Sequence, residues 1–150
     1  GLLSMYLFGE NMKKRIKDIN EHFSKRQITI DELVSFIEDE FDNVDVGAEA
    51  DYRPSSSDKY TCVFLDFEQH PLAEMFAKFE EFDREDLDEL EYQILELIGK
   101  VVSKICRKHD LVSDWDPESH IKHKGSFFSE FDYTKCMVYF DIRFTNVDIV

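Results

Sequence analysis

The 150-residue chain is short of the parts from which the commonest catalytic devices are built. Its five glycines stand singly, so no Gly-rich loop can bring consecutive backbone amides around a phosphate. No serine lies in a G-x-S-x-G turn, which excludes that form of exposed nucleophile. The three cysteines, Cys62, Cys106 and Cys136, are odd in number and far apart. A disulfide framework needs an even, dense set, so reduced, structural thiols and a cytoplasmic setting are expected. No apolar run approaches the ~18 residues that would span a bilayer. The opening GLLSMYLFG lacks a basic flank and a long apolar core, and reads as a poor signal peptide. Gly1 reads as an added residue, with Met5 or Met12 as natural starts, which leaves 1–11 partly non-native.

The largest shortage is of positive charge in the middle of the chain. Residues 28–98 hold twenty-two acids against four bases, a net of −18. Residues 1–27 carry +3, and residues 99–150 are neutral. The densest part is 80–91, EEFDREDLDELE, with eight carboxylates and one arginine. Such a field repels phosphate backbones and anionic membranes and attracts basic partners. Solubility alone is the competing explanation.

What is present is enough for one ordinary domain. A hydrophobic fraction of 43%, with fourteen phenylalanines, supplies a core without metal or disulfides. Met12, Ile16, Ile19 and Phe23 fall on one face of a helix over 10–25. Thr29 with Glu32 has capping-box spacing and opens a second helix with the stripe Ile30, Leu33, Val34, Phe36, Ile37 and Phe41. Residues 42–58 mix acids, Gly47, Pro54 and three serines and read as a long loop, with at most a short edge strand at Val44 and Val46. KYTCVFLDF at 59–67 is a strand whose Thr61, Val63, Leu65 and Phe67 face the helices. Pro71 starts a short helix carrying Leu72, Met75, Phe76 and Phe79. Asp83 caps a long helix with the stripe Leu87, Leu90, Ile94, Leu97, Ile98, Val101 and Ile105, its first turn acidic and its last turn basic. A hairpin of 126–133 and 136–144 should pair with 59–67, and the tail 146–150 should extend the edge. The expected fold is α+β: one domain with a small antiparallel sheet of three to four strands packed against about four helices.

One cluster has metal-ligand chemistry: His109, Asp110, Asp114, Asp116, Glu118, His120 and His123. Its spacing matches no metal motif, and the D-x-D-x-E alternation lacks the glycine of a calcium loop. A solvated helix end explains it better, so no cofactor is expected. His109, His120 and His123 are the candidate ligands of the alternative reading, a small metal-binding enzyme or sensor. Asp66, Glu68 and His70 at a strand end could form an acid–base pair, but turn chemistry before Pro71 accounts for them equally.

The leading reading is a non-enzymatic binding protein whose acidic surface occupies a basic site on another protein. An inhibitor, an immunity protein or antitoxin for a nuclease, or a phage-type nucleic-acid mimic would all fit. Glu81, Glu85, Asp88 and Glu89 are the candidate steering carboxylates, with Tyr52 and Trp115 as aromatic anchors. The expected partner is a basic protein, possessing a nuclease or nucleic-acid-binding surface, with no direct nucleic-acid or membrane contact. A structural subunit that forms a homodimer through spare apolar surface is a further alternative. The single-surface reading requires residues 31–58 and 80–91 to fold onto one face; on opposite sides, solubility suffices.

Overall fold

Apolar residues at every second position of 63–67 and 138–144 decide where the sheet lies. In the computed structural model, which describes residues 25–54, 59–114 and 129–150, these two stretches are neighbouring antiparallel strands. The central strand β3 (Tyr60–Asp66) pairs with β2 (Gly47–Arg53) on one side and β5 (Met137–Ile142) on the other. Beyond β5 lies β4 (Ser129–Asp132), which gives the order β2-β3-β5-β4. The register sets Val63 opposite Ala50 and Phe140, and Leu65 opposite Ala48 and Val138. Successive side chains of a strand point to opposite faces. One face therefore presents Thr61, Val63, Leu65, Val138, Phe140 and Ile142, all buried.

Three helices complete that core. Helix α1 (Ile30–Asp42) contributes Leu33, Ile37 and Phe41. Its N-cap is Thr29, whose Oγ1 accepts from the Glu32 amide at 3.1 Å, as the capping-box spacing predicts. The short helix α2 (Ala73–Ala77) adds Phe76, and a 3-10 turn follows at Phe79–Glu81. Helix α3 (Arg84–His109) contributes Leu90, Ile94, Leu95, Ile98, Val101, Val102 and Ile105. Asp83 caps it through a reciprocal box with Asp86, at 2.9 Å and 3.3 Å. Asp110 ends it in the left-handed conformation, which aspartate tolerates better than most residues. Helix α1 runs antiparallel to α3, because Phe36 meets His109 while Glu40 meets Lys104 and Lys108.

Several expectations need correction. Three α-helices stand among the described residues, fewer than the four expected, and the helix expected over 10–25 lies outside them. The stretch 42–58 is not one long loop, since β2 occupies 47–53. Its alternation of Ala48, Ala50 and Tyr52 with Glu49, Asp51 and Arg53 is strand-like, but alanine and acids are depleted in strands and hid it. Val46 is buried in the core just before the strand, and Val44 sits exposed in the turn. The tail does not extend the main sheet: β6 (Val147–Ile149) pairs in parallel with β1 (Arg26–Ile28), where only a break between helices was expected. That small second sheet holds because Ile28 and Val147 are buried in the common core. The hairpin of β4 and β5, and the pairing of β5 with β3, are as expected.

Candidate functional site

Helix α3 is polarised along its length. Its N-terminal part and the preceding 3-10 turn carry Glu80, Glu81, Glu85, Asp86, Asp88, Glu89 and Glu91, with Arg84 as the one base. Its C-terminal part carries Lys100, Lys104, Arg107 and Lys108 and no acid beyond Glu96. Acids at the first turn and cations at the last complement the helix dipole, so the arrangement stabilises the helix locally.

The two ends differ in how their charge is matched. At the basic end, Glu40 of α1 projects between Lys104 and Lys108. Its carboxylate is 1% exposed; Lys108 Nζ donates to Oε1 at 2.9 Å, and Lys104 Nζ lies 3.2 Å from Oε2. The Lys108 hydrogen bond holds the Glu40 carboxyl below the usual carboxylate range, and Lys108 is pushed up in return. Lys100 pairs with Glu96 one turn earlier, at 3.4 Å. His109 stacks on Phe36 with ring centroids 3.6 Å apart, while Arg26 donates to the His109 carbonyl at 2.7 Å. Burial, aided by the Lys108 charge, lowers the His109 imidazole below its ordinary value.

At the acidic end, some carboxylates have local duties. Asp83 and Asp86 form the cap, Asp88 lies 3.4 Å from Arg84, and Glu91 accepts a hydrogen bond from Tyr133. Burial, then that bond to Glu91, raises the Tyr133 phenol well above its ordinary value, so it stays neutral. Glu80, Glu81, Glu85 and Glu89 are exposed, and among the described residues no cation lies within ion-pair distance of them. Glu89 has only the neutral Gln93 amide, at 3.0 Å. The candidates Glu81, Glu85, Asp88 and Glu89 are thus brought together at one end of α3.

Asp31, Glu32, Glu49 and Asp51 do not join them. Asp31 and Glu32 open α1, beside the basic end of α3. Glu49 and Asp51 occupy the sheet face turned away from Val63 and Leu65. The surplus over 31–58 is therefore split, with these four acids lying apart from residues 80–91. Tyr52 is not an exposed anchor near that patch. It is half-buried opposite Thr61, and Tyr133, which binds Glu91, follows the Asp66–Met137 level of the sheet. Those levels are about 17 Å apart along the strand. Trp115, His120 and His123 lie outside the described residues, as do Asp116 and Glu118.

Among the described residues, no group of three or more His, Cys, Asp or Glu side chains is placed to hold a metal ion. Asp66 accepts from the Glu68 amide at 2.8 Å, and His70 Nδ1 accepts from the Leu72 amide at 3.0 Å while its ring meets Phe67 edge-on. These residues build the turn before α2 rather than facing one another as an acid–base pair. The thiols are raised by burial, Cys62 and Cys106 in direction and Cys136 to about 11, which keeps them protonated and poor nucleophiles.

Glu40 escaped the sequence reading. The available signal was its place in the α1 stripe, between Ile37 and Phe41, where an acid needs a partner if it is buried. No protein-family model matches the chain, and neither a curated protein nor a solved structure is significantly similar to it.

Proposed function

We propose that the protein is a non-enzymatic binding protein that presents the acidic end of α3 to a basic site on another protein. The observation that carries this reading is the contrast along one helix. Lysines at one end are matched inside the molecule, whereas Glu80, Glu81, Glu85 and Glu89 at the other have no cation within reach among the described residues. Like charges this close repel one another and lower stability, and a basic partner would remove that cost. Exposed carboxylates raise association rates more than they raise final affinity, so the role fits an inhibitor or immunity-type partner that captures a nuclease or nucleic-acid-binding protein quickly.

The test compares two immobilised baits, the native chain and E81K/E85K/D88K/E89K, in a lysate of the source cells. The native bait should retain basic proteins that DNA or heparin competes away, and the reversed bait should lose them. For a retained partner, association should slow about tenfold or more and its salt dependence should flatten. Equal retention by both baits would sink the proposal.

A further inference from the structure

The outward face of α3 has a ridge between two grooves. Tyr92, Glu96 and Lys100 stand one turn apart along the ridge, and Tyr92 is 48% exposed. On one flank, a groove of about 640 Å³ runs over Gly99, Val102, Ser103 and Cys106 to Leu111 and Val112. Its far wall is fixed: Val112 N–H donates to Asn146 Oδ1 at 2.8 Å, and Asn146 Nδ2 donates to the Asp110 carbonyl at 3.0 Å. On the other flank, about 460 Å³ opens between Leu97 and Val101 and the wall of Val44, His70 and Leu72. Val112 and Val44 are 54% and 36% exposed at the rims. Gly99 stands in the middle of a helix, where alanine is the better helix former, so a close neighbour would give it a packing reason.

We propose that this face pairs with the same face of a second copy, the two α3 helices antiparallel about a two-fold axis near Glu96 and Gly99. Ridges of the i±4 kind pack into the grooves of a facing helix, and here the Tyr92–Glu96–Lys100 ridge of each copy enters the Gly99–Ser103 groove of the other. The charges on α3 fit this orientation and no parallel one. Antiparallel pairing sets Glu96 against Lys100 and Glu89 against Arg107, each twice by symmetry, and Tyr92 over Ser103. Arg107 has only the Ser103 carbonyl, at 3.4 Å, among the described residues. Where two such helices with their groove walls, each a strip ~20 Å wide, cross at the roughly 50° of i±4 packing, the overlap is on the order of 500 Å² per copy, the size of a weak, reversible interface. Net charge of −15 per copy opposes association, but distant charges are screened beyond ~8 Å at physiological salt, while contacting pairs persist. The dimer is therefore weaker at about 10 mM salt than at about 150 mM.

The pairing does not depend on the proposed partner and is tested on the chain alone. Sedimentation equilibrium between about 1 and 200 µM should show a monomer–dimer equilibrium. R107E should raise the dissociation constant at least about tenfold, and E89R/R107E should restore it. Those positions lie about 27 Å apart within one helix, so rescue has no intramolecular route. G99Q should also dissociate the dimer without loss of helix, because glutamine is the better helix former. A monomer throughout, a dimer indifferent to both R107E and G99Q, or a double swap that fails to restore association would each overturn the proposal.

Discussion

The two halves of α3 differ in how their charges are met: every lysine of one half has a carboxylate, while several acids of the other have no cation within reach among the described residues. Toward His109, each of three lysines meets a carboxylate, two of them the same buried Glu40. Toward Arg84, half the acids cap the helix or meet Arg84 or Tyr133, and the rest face water. A count of residues therefore misjudges how much charge a surface offers. What matters is how much remains after the fold has paired its own groups. A buried carboxylate can absorb two lysines because its desolvation is offset only when both oxygens have cationic neighbours.

Breaking the matched half should have the largest effect. K104A/K108A leaves Glu40 buried without a counter-charge, and thermal unfolding should fall by several degrees. Glu40→Met keeps a similar volume and frees two half-exposed lysines to reach water, so its melting temperature should stay close to the native value. A double-lysine variant as stable as Glu40→Met would show that Glu40 is solvated after all.

Acid should erode the fold progressively. His70 and His109 have lowered imidazole values, so the unfolded chain takes up their protons first as pH falls through about 6.5. Stability is full above that value and declines below it. Glu40, lowered in the fold, contributes stability present above about 4.5 and lost as pH falls further. Urea midpoints between pH 8 and 4 should show a shallow decline and then a steeper one, and Phe36→Ala should bring His109 back toward its ordinary value by NMR titration.

Smaller effects belong to the acidic half. Tyr133→Phe removes the donor to Glu91 and should cost about 1 kcal/mol in chemical denaturation. Glu89→Lys converts the Glu85–Glu89 repulsion into an attractive i,i+4 pair. Measured at about 1 µM, where the chain is monomeric, it should gain about 0.3 kcal/mol at low salt and nothing at about 1 M.

The elements that were legible in the sequence are those whose period runs long enough to outvote local accident. The stripe from Leu87 to Ile105, capped by Asp83, spans five turns, and the strand at 60–66 is a dense run of β-branched and aromatic residues with Val63, Leu65 and the following Phe67 on its core face. GAEADYR at 47–53 was illegible because its residues are poor strand formers; pairing with β3 makes it a strand, and that partner is not local. The pairing of Arg26–Ile28 with Val147–Ile149 involves three residues on each side, too few for any period. In the candidate site, the acids were plain to read, but which charges are met inside the molecule depends on Glu40, which takes two lysines, and Tyr133, which meets Glu91, arriving from elsewhere in the fold.

The parallel pair of β1 and β6 also bears on how the chain reaches its fold during synthesis. Ile30 donates to the Val150 carbonyl at 3.1 Å, and Val150 donates to the Ile28 carbonyl at 3.0 Å, so the segment before α1 is tied to residues made more than a hundred positions later. A contact of such sequence separation closes slowly. Until Val147 has left the ribosome, Ile28 and the base of α1 have an uncovered apolar flank, and the native core cannot be sealed. Closure of the core therefore waits for Val147–Ile149, and ribosome-stalled chains cut before Val147 should stay protease-sensitive around α1.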